Sequence, residues 1–251
     1  MTGYPPPSTS GPLQARTYSL SELLDAVFKL YRRNFELFAA ISLVLALPDV
    51  LLLLAGLHNL SGLVRFFLAP YILATLYLAS AQVVLRGQAS AGGILLAGFR
   101  RYSNFAGVYA RLILAVLALI IPPLGIWLLV RWAPAASVLA AEPIKPGAAV
   151  KRSAFLVTGF WWRTFGIMVV IALLEFILSF ILGFSIGLVI LLVPGIDLLA
   201  KALAVSVAAT ILGSLVVPIV PIGFTLLYVD LRVRKEGLDL DSLAKSASDA
   251  A

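Results

Sequence analysis

The sequence has no cysteine, a single histidine, His58, and only 12% charged residues across 251 positions. Without cysteine there are no disulfides, thiolate nucleophiles, Cys zinc sites or iron–sulfur ligands, and the redox compartment cannot be read. One histidine cannot build a multi-histidine metal site, so no metal and no cofactor are expected. Soluble domains carry about a quarter of their residues as charges, and the shortfall is made up by a 61% apolar content. That balance is the balance of a membrane protein. Nineteen Lys and Arg against twelve Asp and Glu give a formal charge of +7. The cations sit at the ends of apolar runs instead of on one solvated face, which points to anionic lipid headgroups as partners and away from nucleic acid.

Residues 1–17 are rich in Pro, Gly, Ser and Thr, lack the apolar core of a secretory signal, and read as a disordered tail. A membrane domain is expected over 18–236, and a polar tail with Asp239, Asp241 and Asp249 over 237–251. Ser19 followed by Glu22 is a capping-box pattern, and Leu20, Leu23, Leu24, Val27, Phe28 and Tyr31 follow at helical spacing. This predicts an amphipathic helix lying on the membrane surface with its apolar face down.

A hydrocarbon core about 30 Å thick needs roughly 20 apolar residues in a helix. Six runs qualify: 35–57, 66–85, 105–121, 124–141, 165–191 and 203–229. The expected fold is an all-α, polytopic membrane helix bundle with amphipathic interfacial helices. Span five is long enough to tilt, to bend near Gly183 and Gly187, or to hold a re-entrant piece at 184–193. Fifteen of the nineteen cations fall in the N-terminal segment, in 86–104, in 142–163 and in the C-terminal segment. By the positive-inside rule both termini then face the cytoplasm of a multi-pass cell-membrane protein. LLDAVFKLYRRNF, LLAGFRRYSNF and FLVTGFWWRTF each precede a span, ending at Phe35, Phe105 and Phe165. They predict three units, each a surface helix followed by a transmembrane hairpin, unless they mark only the usual interfacial enrichment in Arg and aromatics.

Three stretches carry a family resemblance. They are SLSELLDAVFKLYRRNF, PAASVLAAEPIKPGAAVKRSAFLVTGFWWRTFGI with Glu142, Arg152, Ser153 and Gly159, and LLYVDLRVRKEGLDL with Tyr228, Asp230, Arg232, Arg234, Glu236 and Gly237. Together, over roughly 18–241, the chain resembles the membrane-domain family of glycerophosphoryl diester phosphodiesterases. The resemblance implies a membrane part standing alone, since the hydrolytic members add a barrel with metal-binding carboxylates and catalytic histidines. It implies a role in envelope or lipid processes and no activity of its own.

Gly183-Phe184-Ser185-Ile186-Gly187 spells the G-x-S-x-G nucleophile pattern, but within an apolar helix it reads as G-x-x-x-G helix packing. Four ionisable residues fall inside spans, where each costs about 2.5–3.5 kcal/mol or more and is normally paired or faces water: Asp49, Arg111, Arg131 and Glu175. At 1.5 Å per residue Asp49 lies about 9 Å from the outer surface and Arg131 about 10 Å, so the two are expected to pair. Glu175, near the midplane, either reaches Arg131 or is protonated. The four serve a relay or polar cavity, or else buried pairs that fix helix register.

Pro48, Pro70, Pro134, Pro218 and Pro221 interrupt spans, as in broken transporter helices and in ordinary ones. His58 reads as an interfacial side chain. Phe160, Trp161, Trp162 and Arg163 read as a headgroup anchor, with lipid recognition by Lys151, Arg152 and Arg163 an open alternative. No catalytic residue is nominated. The first functional expectation is a non-enzymatic scaffold or accessory in an envelope or lipid-related process. The second is a transporter or channel-like protein with an intramembrane polar site, and the third is the membrane part of a lipid- or glycerophosphodiester-processing system. A protein partner or a second copy of the chain is left open.

Overall fold

The computed structural model of the protein describes residues 17–87, 89–195 and 197–237. The expected tails, 1–17 and 237–251, lie outside the described residues apart from Thr17 and Gly237. Among the described residues all regular structure is helical. The α-helices in chain order are α1 (Leu20–Arg33), α2 (Phe35–Leu54), α3 (His58–Arg86), α4 (Ala91–Arg100), α5 (Tyr102–Leu117), α6 (Pro122–Trp132), α7 (Ala135–Ala141), α8 (Pro146–Val157), α9 (Trp161–Leu191), α10 (Leu198–Val216) and α11 (Ile219–Glu236). A single 3₁₀ turn, Ala118–Ile120, follows α5.

Six stretches are long and apolar enough to cross a membrane: Phe35–Leu54, His58–Arg86, Tyr102–Ile120, Pro122–Ala141, Trp161–Leu191 and Leu198–Glu236. Each contains most of one expected span. The second starts eight residues earlier than apolarity alone marks, and this places Arg65 inside α3 and not in a loop. Helix α9 runs unbroken through Gly183 and Gly187. At about 1.5 Å per residue it is about 46 Å long, more than a bilayer core needs. The helix has no break there and no separate re-entrant segment.

The helices fall into three successive groups, each a short helix of 10 to 14 residues followed by two spans. The groups are α1 with α2 and α3, α4 with α5 and α6–α7, and α8 with α9 and α10–α11. Each short helix packs against the last helix of the group before it: α4 on α3, α8 on α7 and, closing the circle, α1 on α11. The three last helices, α3, α7 and α11, also pack on one another. Their facing residues, among them Leu76, Val138, Leu139, Leu226 and Leu227, form the middle of the apolar core. Helix α1 is therefore not a surface helix with its apolar face in lipid. Its capping box is formed, with Ser19 Oγ accepting the Glu22 amide at 3.3 Å and Glu22 accepting the Ser19 amide at 2.8 Å. Yet Leu23, Val27 and Leu30 are buried against protein.

Prolines repeat the same pattern. A proline removes one helical hydrogen bond and opens the turn before it, and in a membrane the freed carbonyls need another donor. Pro70 stays inside α3, whereas Pro134 and Pro218 separate α6 from α7 and α10 from α11. In all three cases a hydroxyl from the following group donates to the carbonyl three residues before the proline. Tyr102 reaches Phe67 at 3.0 Å, Ser153 reaches Arg131 at 2.8 Å, and Tyr31 reaches Leu215 at 2.5 Å. Pro48 and Pro221 are accommodated within α2 and α11.

Candidate functional site

Polar side chains gather in two places. The first lies where the C-terminal end of α11 meets α7, α8 and the start of α9. Glu142, the residue that ends α7, accepts from the Tyr228 hydroxyl at 2.8 Å and from Arg152 Nε at 3.4 Å, with Arg232 at 3.8 Å. Glu236 accepts from Arg232 Nε at 3.1 Å and pairs through its other oxygen with Arg152. Arg232 closes the ring on the Tyr228 oxygen at 2.9 Å. Two carboxylates and two guanidiniums thus form a closed, electrically neutral loop. Burial opposes the charged form of Arg152, but the hydrogen bond to Glu236 and the charges of Glu142 and Glu236 outweigh it and hold its pKa above the ordinary arginine value. Its charge is constant at any accessible pH.

Beside the loop stands Asp230, fully buried. It accepts from the Tyr18 amide at 2.8 Å, from Arg163 at 3.0 Å and from Arg234 at 3.1 Å. Arg163 and Arg234 also donate to the Tyr18 carbonyl, the latter at 3.1 Å. The residue pair before α1 is thereby fastened to α9 and α11. Gly237 ends α11 at φ +62°, where a side chain would be strained, and its amide returns to Val233. Ser153, about one turn before the end of α8, satisfies the α6–α7 break described above. Glu142, Arg152, Ser153, Tyr228, Asp230, Arg232, Arg234, Glu236 and Gly237, drawn from distant stretches, therefore belong to one structural neighbourhood. Arg152 and Arg163 are spent on carboxylates and are not held out toward headgroups.

The second place is a cavity of about 410 Å³ walled by α2, α3, α9 and α10. Asp49, 92% buried by the 8% exposure of the residue, pairs with Arg65 of α3 and accepts from Thr210 of α10 at 3.3 Å, all through Oδ2. Among the described residues its Oδ1 has no partner, nor has the buried hydroxyl of Ser42, about two turns earlier in α2. Glu175 lines the same cavity together with Ser179 and Ser214, half-buried, with no hydrogen bond or ion pair among the described residues. The cavity thus holds two carboxyls and one guanidinium. Arg65 is 59% exposed, so the pair contributes little stability once solvent screening is allowed for.

The expected Asp49–Arg131 pair does not form. The depth arithmetic finds a common level but not a common side of the bundle, and α6, which bears Arg131, does not pack on α2. Arg131 lies over the Trp127 ring at 4.3 Å. Glu175 does not reach it either. Arg111 donates to the Gly107 carbonyl one turn back at 2.6 Å, over the start of α8. Gly183 and Gly187 face open space, so among the described residues no helix packs on that G-x-x-x-G face.

No family model, curated protein or solved structure matches the chain.

Sequence reasoning missed the partners in both places. Arg65 falls one residue outside the apolar run 66–85, and only the start of α3 at His58 brings it within reach of Asp49. Thr210, Ser42 and Ser179 carry no sequence signal, since single hydroxyls are common in membrane helices. The Arg163–Asp230 pair had a legible half: an Asp inside an apolar run must meet a cation, and an Arg at the start of another span is a natural supplier. Among the described residues no three Asp, Glu or His side chains gather as a metal-ligand set.

Proposed function

We propose that the protein is a multi-pass protein of the cell membrane, with both termini cytoplasmic, that binds a small positively charged solute in the cavity between α2, α3, α9 and α10 in the manner of a transporter or channel. The observation that carries this reading is Glu175. It stands unpaired in the wall of a cavity whose other acid, Asp49, has one oxygen partnered and one idle. A carboxyl in an apolar bundle is costly, and a site with two acids and one arginine is completed by a cation or a hydrogen-bond donor. The orientation is supported by the charge asymmetry of the connecting segments.

The test uses a carbodiimide, a reagent that couples to carboxyl groups, on protein in detergent micelles. Glu175 becomes labelled, methylammonium chloride protects it while sodium sulfate does not, and Glu175→Gln removes the label without lowering the melting temperature. Absence of labelling, or labelling indifferent to methylammonium, overturns the reading. For the orientation, a membrane-impermeant maleimide added to whole cells should label Leu60→Cys and Leu198→Cys and spare Lys145→Cys.

A second reading has its own support. Membership of the membrane-domain family of glycerophosphoryl diester phosphodiesterases, and with it a non-enzymatic accessory role in an envelope or lipid-related process, is favoured by the way Glu142, Arg152, Tyr228, Arg232 and Glu236 share one loop of contacts. Residues of a family pattern that serve each other need no substrate to explain them. This reading predicts copurification of a specific lipid or protein from native membranes in wild type that is lost when the loop is broken.

A further inference from the structure

The cavity between α2, α3, α9 and α10 is roomier and more one-sided than a bare ion requires. Its volume of about 410 Å³ lies within the range of about 300–1,000 Å³ usual for small-molecule sites, whereas a single water takes about 30 Å³. The oxygens on its α10 wall are acceptors. Thr210 gives its hydroxyl proton to Asp49 at 3.3 Å and Ser214 gives its own to the Ile211 carbonyl at 2.7 Å, so each oxygen is left only to accept. Arg65, the one cationic side chain in the described lining, already donates to Asp49. Glu175 has no partner among the described residues, and Ser179 stands one turn further along the same face of α9. Counting back from the α9–α10 connection puts Glu175 about level with Ser214. Past Arg65 the α3 wall is apolar, with Leu68, Ile72 and Leu76 following one another along one face. On α10, Gly213 also lines the cavity and has nothing within 4 Å of the place a Cβ would take, so the void reaches the helix backbone there.

We infer, on the cation-binding reading of this cavity, that its ligand is a primary amine with a single positive charge and an aliphatic body of a few carbons. The ammonium is held by Glu175 and the hydroxyl oxygens of α9 and α10, and the body lies against Leu68, Ile72 and Leu76. An ammonium carries three N–H donors and no acceptor, the complement of a wall of acceptors. Two carboxylates against one guanidinium call for one added positive charge and not two. An inorganic cation would answer the acids but leave the α3 wall and the recess at Gly213 without a partner.

The experiment is a calorimetric titration of the full-length protein in neutral detergent at fixed ionic strength. The titrants are methyl-, ethyl-, n-propyl- and n-butylammonium chloride, tetramethylammonium chloride as the isomer of n-butylammonium without an N–H donor, putrescine as a doubly charged amine, and potassium chloride. Affinity should rise about threefold to fourfold per methylene from methyl to n-butyl. Tetramethylammonium should bind about tenfold or more weakly than n-butylammonium, and putrescine and potassium should also fall below it. Gly213→Leu, whose Cβ meets nothing, should weaken n-butylammonium about tenfold and leave methylammonium within about twofold, whereas Glu175→Gln should abolish both. No binding by any alkylammonium overturns the cation-binding reading and this inference with it. Methylammonium binding with a flat chain-length series, or equal binding of the two isomers, overturns this inference and leaves that reading standing. A chain-length gain that persists in Glu175→Gln is uptake by the micelle, and one that persists in Gly213→Leu puts the aliphatic body elsewhere; either overturns the inference. If Gly213→Leu loses wild-type helicity by circular dichroism, Gly213→Ala serves in its place, with an expected loss for n-butylammonium of about threefold.

Discussion

The charged loop around Tyr228 and the cavity around Asp49 hold the same kinds of side chains and use them oppositely. In the loop each carboxylate has at least two donors and each guanidinium a carboxylate, so the charges are consumed in holding α7, α8 and α11 together. In the cavity Asp49 Oδ1, Ser42 Oγ and Glu175 are left over. Complete mutual satisfaction is what a structural fastening requires, and buried groups without partners lower stability unless something else meets them. Stability should therefore fail first when the loop is touched and binding first when the cavity is touched.

Asp230→Asn should show the largest effect. It removes a fully buried charge and strands two arginines, at a cost of about 3–5 kcal/mol, visible as a large drop in the detergent melting temperature. Survival of the wild-type melting temperature would place Asp230 outside the fastening. Glu142→Gln and Glu236→Gln come next, each costing about 1–3 kcal/mol. Because both act on Arg152 and Arg232, the double variant should lose less than the sum of the singles, and additivity in a double-mutant cycle would dissolve the loop into separate pairs. Smaller again, Tyr102→Phe and Ser153→Ala should cost about 1 kcal/mol each. The Tyr102→Phe cost should shrink in a Pro70→Ala background, where the turn closes and the Tyr71 amide can serve the Phe67 carbonyl; an undiminished cost there would detach the hydroxyl from the proline. The smallest effect belongs to Glu175→Gln, which breaks no contact and should leave the melting temperature unchanged or raise it. A clear loss of stability would make Glu175 part of the frame and erase the contrast.

The hydrophobic pattern made the six spans legible because lipid imposes one rule on every lipid-facing residue, and apolar length reports it directly. It also made the threefold grouping legible, since the amphipathic stretches ending near Phe35, Phe105 and Phe165 each lead into a hairpin. The seating of those short helices was not legible. An apolar stripe with charges behind it fits a membrane surface and a protein groove equally well, and only α11, two hundred residues away from α1, decides between them. Polar pairing was half legible. Depth follows from counting residues along one helix, but which side of the bundle a residue faces depends on how six helices are arranged. Asp49 therefore had a correct level and a wrong partner. Charge sign gave no warning of the difference between Arg152, which is consumed, and Arg100, which meets no carboxylate among the described residues.

The Tyr18 amide meets the Asp230 carboxylate across 212 residues of chain. A ribosome delivers the N-terminal helix first, yet its berth on α11 exists only after the sixth span has been made. During that interval the greasy stripe of Leu23, Val27 and Leu30 has no protein cover, and the bilayer itself is the available shelter. The amphipathic pattern of α1 then suits both its place before docking and its place after it, and docking onto α11 can only follow the sixth span. Shortening the chain before α11 should leave α1 parked on lipid, exposed to protease.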